Sequence, residues 1–280
     1  MGNAEIYYFS GTGNSLMLAK DLAGKLDARL TSIPSVMAQA AIAPEADTIG
    51  IVFPVYYIQD ICVPLIVERF IGKLEGIGSK YIFAVCNFGG GSVHAIRYVR
   101  GMIRERGGTL AAGFGIRMPQ NAFYKPNENK QKLFAQASKK TEKIYRYVAA
   151  RKHGKYDDLW NVFIKLILAP VLPKLRRDGV RDLSRIAESG PRPFRELVPL
   201  TDNSFSADGN CNGCGICAKV CPVNNISIDG KKPVWHNRCE NCIACASWCP
   251  RDAIRGGVLQ EGMRYRHPGV NVSEMFTRSR

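Results

Sequence analysis

The cysteines constrain this chain more than any other feature, because eight of its ten cysteines fall into two runs of one spacing. The runs begin at Cys211 and Cys239, and each reads C-x2-C-x2-C-x3-C-P. Thiolates at this spacing bind iron–sulfur clusters, although paired C-x2-C is also a zinc signature. Zinc needs four ligands in two pairs and has no use for the x3-Cys-Pro ending. The spacing therefore favours [4Fe–4S] clusters over zinc.

The two runs resemble those of bacterial two-cluster ferredoxins. In that family three close cysteines bind one cluster, and the fourth cysteine crosses over to the other cluster. The resemblance implies a first ligand set of Cys211, Cys214, Cys217 and Cys249, and a second ligand set of Cys239, Cys242, Cys245 and Cys221. We expect a small α+β ferredoxin domain at 201–256. Because about 55 residues bury little apolar area, metal bonds would supply much of its folding free energy.

The N-terminal half alternates between strand and helix patterns. Apolar runs predict buried strands at Glu5–Phe9, Thr48–Pro54, Lys80–Cys86 and Thr109–Met118, and a weaker run near Arg29–Ile33 predicts the second of five strands. Helical faces between and after them are marked by Leu16, Ala19, Ala23, Leu26, Ile66, Phe70, Leu74, Ile96, Val99, Ile103, Leu133, Ala137, Ile144 and Val148. This alternation predicts an α/β domain at 1–153 with a doubly wound, five-stranded parallel sheet. Ligands of such sheets bind at the carboxyl ends of the strands.

A polar, glycine-containing turn follows the first predicted strand and directly precedes a helix. It reads Ser10-Gly11-Thr12-Gly13-Asn14-Ser15. Backbone N–H groups at a helix N-terminus bind phosphate, and the three hydroxyl side chains would add neutral donors. The turn lacks the Gly-Lys-Ser/Thr ending of a P-loop and does not match G-x-G-x-x-G. A turn without a ligand is the alternative interpretation.

This turn resembles the phosphate loop of flavodoxins, which bind FMN. Two further loops resemble those that enclose the flavin ring in that family: Pro54, Val55, Tyr56 and Tyr57 in the first, and Asn87, Phe88, Gly89, Gly90 and Gly91 in the second. Flavodoxins often carry a glycine in the first of these loops, and its peptide hydrogen-bonds flavin N5. That glycine is absent here, so Gly89 or Gly90 would have to take this role. The whole chain resembles flavodoxin–ferredoxin fusions of anaerobes, over roughly residues 4–150 and 208–256.

The chain is basic, with a net charge of +15. Residues 139–195 hold fifteen Lys or Arg against six Asp or Glu, so the excess is concentrated there. We expect a basic helical connector at 154–200, with a one-faced helix marked by Leu159, Val162, Phe163, Leu166 and Ile167, and a stiff linker at Ser189–Pro193. Residues 257–280 are expected to form an extended basic tail. The charge suits acidic redox partners or a weak membrane-surface contact, and a solvated surface is the alternative.

Several features stay outside the cysteine runs and the flavin loops. Cys62 and Cys86 are expected to be buried small side chains, with a low-pKa thiol as the alternative for Cys62. Met118–Tyr124 would either lie over the flavin or form an ordinary polar loop. No secretory signal or membrane-spanning stretch is visible, which predicts a cytoplasmic location. No pattern indicates nucleic-acid binding, and a homodimer is left open.

These observations predict an electron-transfer protein that relays electrons between two [4Fe–4S] clusters and FMN. Because a flavin holds one or two electrons, it can connect one-electron and two-electron chemistry. No residue is predicted as a catalytic acid or base. One alternative is a flavin-dependent reductase of a quinone or nitro compound, which would need an open pocket over the flavin. The other is an iron–sulfur redox sensor, which would signal through cluster state.

Overall fold

The computed structural model describes residues 3–56, 62–92, 94–121, 128–157, 170, 172–259 and 264–277. The chain divides into two compact units. The first comprises Met1–Ser10, Asn14–Pro119 and Asn127–Leu168, and the second comprises Gly11–Gly13, Gln120–Pro126 and Ala169–Arg280. Three residues from the predicted phosphate loop thus belong to the second unit.

The first unit is built on a parallel sheet of six strands. They are β1 (Ala4–Tyr8), β2 (Arg29–Ser32), β3 (Thr48–Pro54), β4 (Tyr81–Phe88), β5 (Leu110–Arg117) and β6 (Lys155–Tyr156). Their order in the sheet is β2-β1-β3-β4-β5-β6. The first five strands follow the 2-1-3-4-5 order of flavodoxin-like sheets. The unit therefore has the flavodoxin-like α/β fold, as predicted.

The sheet has one strand more than the sequence predicts. β6 pairs in parallel with β5, with Lys155 beside Ala112 and Tyr156 beside Gly113. Two residues are too few to produce an apolar run, so hydrophobic periodicity could not detect this strand. The other strands begin or end within one or two residues of their predicted bounds.

Among the described residues, five helices accompany the sheet. They are α1 (Asn14–Leu26), α2 (Ile33–Val36), α3 (Leu65–Gly72), α4 (Ala95–Glu105) and α5 (Lys130–Ala149). Every residue predicted to mark an apolar helical face between Leu16 and Val148 is buried, although Leu74 lies just beyond the end of α3. At one contact α4 lies very close to the sheet, since a Cβ on Gly113 would come 2.1 Å from Ile96 Cγ2. Only glycine fits β5 there.

The second unit is made of short elements around the cysteine runs. Its described elements are α6 (Leu172–Ile186), α7 (Phe194–Leu197), the 3-10 helix Val198–Ser204, β7 (Ser206–Ala207), α8 (Ile216–Lys219), β8 (Ile226–Asp229), β9 (Lys232–Trp235), α9 (Ala244–Ser247), β10 (Ile254–Arg255) and the 3-10 helix Val272–Met275. Strand β7 pairs with β10, and β8 pairs with β9, both antiparallel. The β8–β9 hairpin turns through Gly230 and Lys231, which both have positive φ, as a type I′ turn requires.

Two predicted segments need comment. The predicted helical face between Leu159 and Ile167 lies outside the described residues. The C-terminal segment was expected to be extended, but Tyr265, His267, Val270 and Met275 are buried, and Thr277 N donates a hydrogen bond to Lys219 O at 2.9 Å. Residues 264–277 are therefore packed onto the second unit.

Candidate functional site

The first ligand set lies around one cavity. All four of its cysteines line this cavity, including Cys249 from the second run, whereas Cys221 does not. Burial raises the pKa of Cys217 most, and the neighbouring thiols of Cys214, Cys249 and Cys211 raise it further. The structure thus brings together the four residues that the ferredoxin resemblance groups.

The second ligand set is deeper. Cys221, Cys242 and Cys245 are all buried. Burial first, and then the Cys239, Cys242, Cys221 and Cys217 thiols, raise the pKa of Cys245 well above its usual range. Burial also raises the pKa of Cys242, and the Cys239 and Cys221 thiols raise it further. Cys221, from the first run, therefore lies among the close cysteines of the second run.

Backbone N–H groups point at the sulfurs in both sets. Asn225 N lies 3.2 Å from Cys221 Sγ, Asn241 N lies 3.2 Å from Cys239 Sγ, and Ala253 N lies 3.3 Å from Cys249 Sγ. Such donors stabilise negative charge on a cluster-bound thiolate, and they are one determinant of cluster potential. The donor set therefore fits iron–sulfur clusters.

Burial alone would keep the thiols of Cys217 and Cys239 protonated. It raises the pKa of Cys217 to about 11 and that of Cys239 to about 12. Because the thiolate is the metal ligand, iron would have to compensate the buried negative charge. Among the described residues, no group of three or more His, Cys, Asp or Glu side chains is arranged for a single metal ion.

The predicted phosphate loop links the carboxyl end of β1 to α1, which begins at Asn14. Thr12, Asn14 and Ser15 are buried polar residues, and Gly13 has a φ of 97°. A Cβ on Gly13 would lie 2.9 Å from His267 Cβ, so glycine is needed both for conformation and for space. A buried polar turn before a thirteen-residue helix fits a phosphate group.

Two hydrogen bonds connect this loop to the end of β4 and to the segment that follows β5. Ser15 Oγ donates to Asn87 Oδ1 at 2.6 Å, and Asn14 Nδ2 donates to Pro119 O at 3.1 Å. Asn87 lies in β4 and Pro119 follows β5. The polar residues at the carboxyl ends of β1, β4 and β5 are therefore held together.

The other predicted flavin residues lie at the ends of β3 and β4. Pro54 ends β3, and the next residue, Val55, donates from its backbone N to Asn87 O at 2.8 Å. Tyr56 is half-buried and makes an edge-to-face ring contact with Phe9, with centroids 6.2 Å apart. Phe88, Gly89, Gly90 and Gly91 follow Asn87, while Tyr57 lies outside the described residues.

The middle of the phosphate loop is held by residues that the sequence did not single out. Within the second unit, Trp248 Nε1 donates to Gly11 O and His267 N donates to Thr12 O, both at 2.9 Å. Asn121 Nδ2 donates to Thr12 Oγ1 at 3.1 Å, which places one residue of the Met118–Tyr124 segment at this loop. Trp248 directly precedes the ligand candidate Cys249 in sequence, a position that carries no local signal for such a contact.

Cys62 and Cys86 are both fully buried, as predicted. Cys86 lies in β4, whereas Cys62 precedes α3 with a φ of 59°. The Cys62 Sγ lies 3.5 Å from both ring nitrogens of His94. The alternative of a low-pKa thiol at Cys62 stays a prediction.

Two of the three comparisons with known proteins found matches. Residues 208–227 match the family described as 4Fe-4S binding domain. The search of curated proteins found no match. Similar solved structures include the Megasphaera elsdenii flavodoxin (22% identity, TM-score 0.32, 49% of this chain and 98% of that one) and the Fusobacterium nucleatum flavodoxin bound to flavin mononucleotide (13%, 0.38, 54% and 99%). Because these scores are low, the fold assignment rests on strand order.

A flavodoxin-like sheet and a 4Fe-4S binding domain in one chain support a flavin and iron–sulfur electron-transfer role. No helix among the described residues is long and apolar enough to cross a membrane.

Proposed function

We propose that this protein carries two [4Fe–4S] clusters and FMN, and that it relays single electrons between them. One observation carries the proposal: a single cavity is lined by three cysteines of the first run together with Cys249 of the second. In two-cluster ferredoxins the fourth cysteine of each run binds the cluster of the other run, so each cluster site needs cysteines from both runs. The proposal places the chain with flavodoxin–ferredoxin fusions.

The chain's own residues would bind and shield the clusters. The first ligand set would hold one cluster and the second ligand set the other. When bound, the clusters exchange single electrons and the flavin exchanges one or two. Asn225, Asn241 and Ala253 would direct their N–H groups at the ligating sulfurs. Phe205, Ile226 and Ile254 pack in one apolar cluster with Cys217, Cys221, Cys245 and Cys249, and this packing shields these four sulfurs from water.

FMN would lie at the carboxyl ends of the strands in the first unit. The loop Ser10, Thr12, Gly13, Asn14 and Ser15 would bind the phosphate. The flavin ring would contact Pro54, Val55, Tyr56, Tyr57, Asn87, Phe88, Gly89, Gly90 and Gly91. Because this site offers hydroxyl and backbone donors rather than a Lys or Arg in the loop, it would hold the phosphate without a salt bridge.

An acidic redox protein is the proposed electron partner. Helix α6 carries five exposed basic residues, Lys174, Arg176, Arg177, Arg181 and Arg185. Arg181 and Arg185 pair with Asp178 and Asp182 on the same helix, which leaves a basic excess. Electron exchange with such a partner should slow as salt rises, because salt screens exposed charges. A rate insensitive to salt would argue against this partner.

Metal analysis tests the cluster part of the proposal. Anaerobically purified protein should contain about eight iron and about eight acid-labile sulfide per chain. Two zinc and little sulfide would contradict it, and four iron would reduce the assignment to one cluster.

Flavin binding tests the other half. Thr12→Ala removes a buried hydroxyl and should weaken FMN binding by about 1–3 kcal/mol, or roughly five- to a hundredfold. Thr48→Ala is the matched control, since Thr48 begins β3 at the opposite end from Pro54 and should leave FMN affinity unchanged. Release of FAD on denaturation, or unchanged affinity in Thr12→Ala, would exclude this loop.

Stopped-flow kinetics test the relay itself. After a low-potential donor reduces the clusters, flavin reduction should follow at a rate independent of protein concentration, because both cofactors share one chain. Mixing a flavin-free variant with a cluster-free variant tests transfer between chains of a dimer. A rate proportional to protein concentration, without a stable dimer, would leave two independent carriers on one chain.

A further inference from the structure

A buried carboxylate lies beside the second ligand set. Asp202 belongs to the 3-10 helix Val198–Ser204 and is 3% exposed. Its Oδ2 accepts hydrogen bonds from Asn225 Nδ2 at 2.6 Å and from Asn237 N at 2.9 Å. Its Oδ1 is buried and has no hydrogen-bond partner among the described residues. The carboxylate is thus fixed in place and only half satisfied.

Asn225 connects this carboxylate to a cluster ligand. Its backbone N points at Cys221 Sγ, and its side chain donates to Asp202. The remaining amide oxygen accepts from His236 N at 3.2 Å and Arg238 N at 2.7 Å. Because both ends of the amide are engaged, Asn225 cannot rotate away without breaking hydrogen bonds. Cys239 N also donates a hydrogen bond to Pro199 O of the same 3-10 helix, at 3.1 Å.

The other half of the cluster module lacks this arrangement. Ala253 stands four residues after Cys249, as Asn225 stands four residues after Cys221. Both donate a backbone N–H to the sulfur, at 3.3 and 3.2 Å. Ala253 has no polar side chain that could continue to a carboxylate. The backbone donor is therefore common to both halves, and the Asn–Asp extension belongs to one.

Reduction adds negative charge to a cluster, so a fixed negative charge nearby opposes it. That repulsion is much stronger in the protein interior than in water, and net charge around a cluster is a recognised determinant of its potential. Burial raises the pKa of Asp202 above its usual range, and hydrogen bonds from Asn225 and Asn237 offset part of this rise. The potentials are therefore measured at alkaline pH, which favours the ionised carboxylate.

We propose that Asp202, held by Asn225, makes the cluster of the second ligand set the lower-potential one of the two. This inference rests on the proposed function, because it requires two clusters. Asp202 acts as a positioning and charge-setting residue and does not bind iron. It gives electron flow between the two clusters a preferred direction, toward the first ligand set.

Asp202→Asn tests the inference, because it removes the charge and keeps the shape. A potentiometric titration followed by electron paramagnetic resonance should show the lower potential rising and the upper one unchanged. We expect the electron equilibrium between the clusters to change about tenfold, which corresponds to about 59 mV for one electron. Asp202→Glu keeps the charge and should restore the wild-type separation.

Asp208→Asn is the matched control. Asp208 is paired with Arg255 at 2.7 Å, and its side chain is 31% exposed, so its removal should change the equilibrium less than about twofold. An unchanged lower potential in Asp202→Asn, or an equal shift of both potentials, would overturn the inference. The proposed function would still stand in that case if the protein contains about eight irons per chain. Four irons in the wild type would instead contradict the proposed function.

A folding defect is handled with a second neutral variant. If Asp202→Asn loads fewer irons than the wild type, Asp202→Ser is titrated in its place. A raised lower potential in either variant supports the inference. Loss of the cluster from both neutral variants, with Asp202→Glu also failing to load, would overturn it and leave Asp202 as a purely structural residue.

Discussion

The two cysteine runs have the same spacing but different surroundings. In the first run Cys214 is exposed and Cys211 half-exposed, whereas every residue from Asn241 to Cys249 in the second run is buried. The backbone repeats more faithfully than the environment: Gly213 and Gly215 have positive φ, and so do Asn241 and Ile243, which stand 28 residues later. The spacing determines how sulfurs are presented, and the intervening residues determine how far each cluster would lie from solvent.

The largest expected effect comes from removing a cysteine of one run that is assigned to the cluster of the other run. Cys221→Ala should remove a ligand from the second set and cost that cluster, or about four of eight irons. Under anaerobic alkylation, Cys239, Cys242 and Cys245 should become reactive, while Cys211, Cys214 and Cys217 stay protected. Peptide mapping by mass spectrometry measures both.

Cys249→Ala is the reciprocal experiment and should expose the first run. Cys86→Ala, which changes a buried cysteine in β4, is the control and should keep all eight irons. If Cys221→Ala exposes Cys211, Cys214 and Cys217 instead, the ligand pairing is wrong.

Chelation should separate the two sites by solvent access. An iron chelator should first release the cluster of the first ligand set, because Cys214 is exposed and Cys211 is half-exposed. We expect its cysteines to become alkylated severalfold faster than those of the second ligand set, measured as time courses on the same sample. Equal rates, or the reverse order, would show that static exposure does not govern cluster loss.

Gly213 and Asn241 offer a matched pair at equivalent backbone positions. Gly213→Ala should destabilise the cluster module by about 1–3 kcal/mol, because φ is 74° and a Cβ would lie 2.9 Å from Lys231 O. Asn241→Gly relieves a positive φ and should change stability by less than about 1 kcal/mol.

Thermal loss of the clusters' visible absorbance measures both substitutions. The Gly213→Ala midpoint should fall by several degrees, and the Asn241→Gly midpoint should stay close to that of the wild type. A larger loss in Asn241→Gly would mean that the Asn241 side chain, rather than the backbone, organises the second run.

Sequence patterns predict what repeats or runs, and miss what depends on distant chain segments. Strands β1, β3, β4 and β5 follow from continuous apolar runs and β2 from a weaker run, whereas β6 has two residues and shows no period. The ligand candidates follow from spacing alone. Trp248 and His267, which hold Gly11 and Thr12, carry no pattern, because those contacts join positions more than two hundred residues apart. Asp202 is likewise unremarkable in sequence and becomes distinctive only through its burial.

The smallest expected effect concerns a hydrogen bond that, within the described part of the chain, is found in the first run and not in the second. Thr277 Oγ1 donates to Cys221 O at 2.8 Å, in addition to the turn bond from Asn224 N. In the second run, Cys249 O accepts the equivalent turn hydrogen bond from Asp252 N. Thr277→Val keeps the shape and removes the hydroxyl, which should cost about 0.5–1.5 kcal/mol.

Because Cys221 serves the second ligand set, this loss should appear as faster chelation of that cluster alone. The energy corresponds to about a two- to tenfold change in rate if the bond is broken when iron leaves. Thr277→Ser keeps the hydroxyl and should restore the wild-type rate. Equal acceleration of both clusters in Thr277→Val would point to general loosening of the C-terminal segment, and would remove this bond from the differences between the two halves.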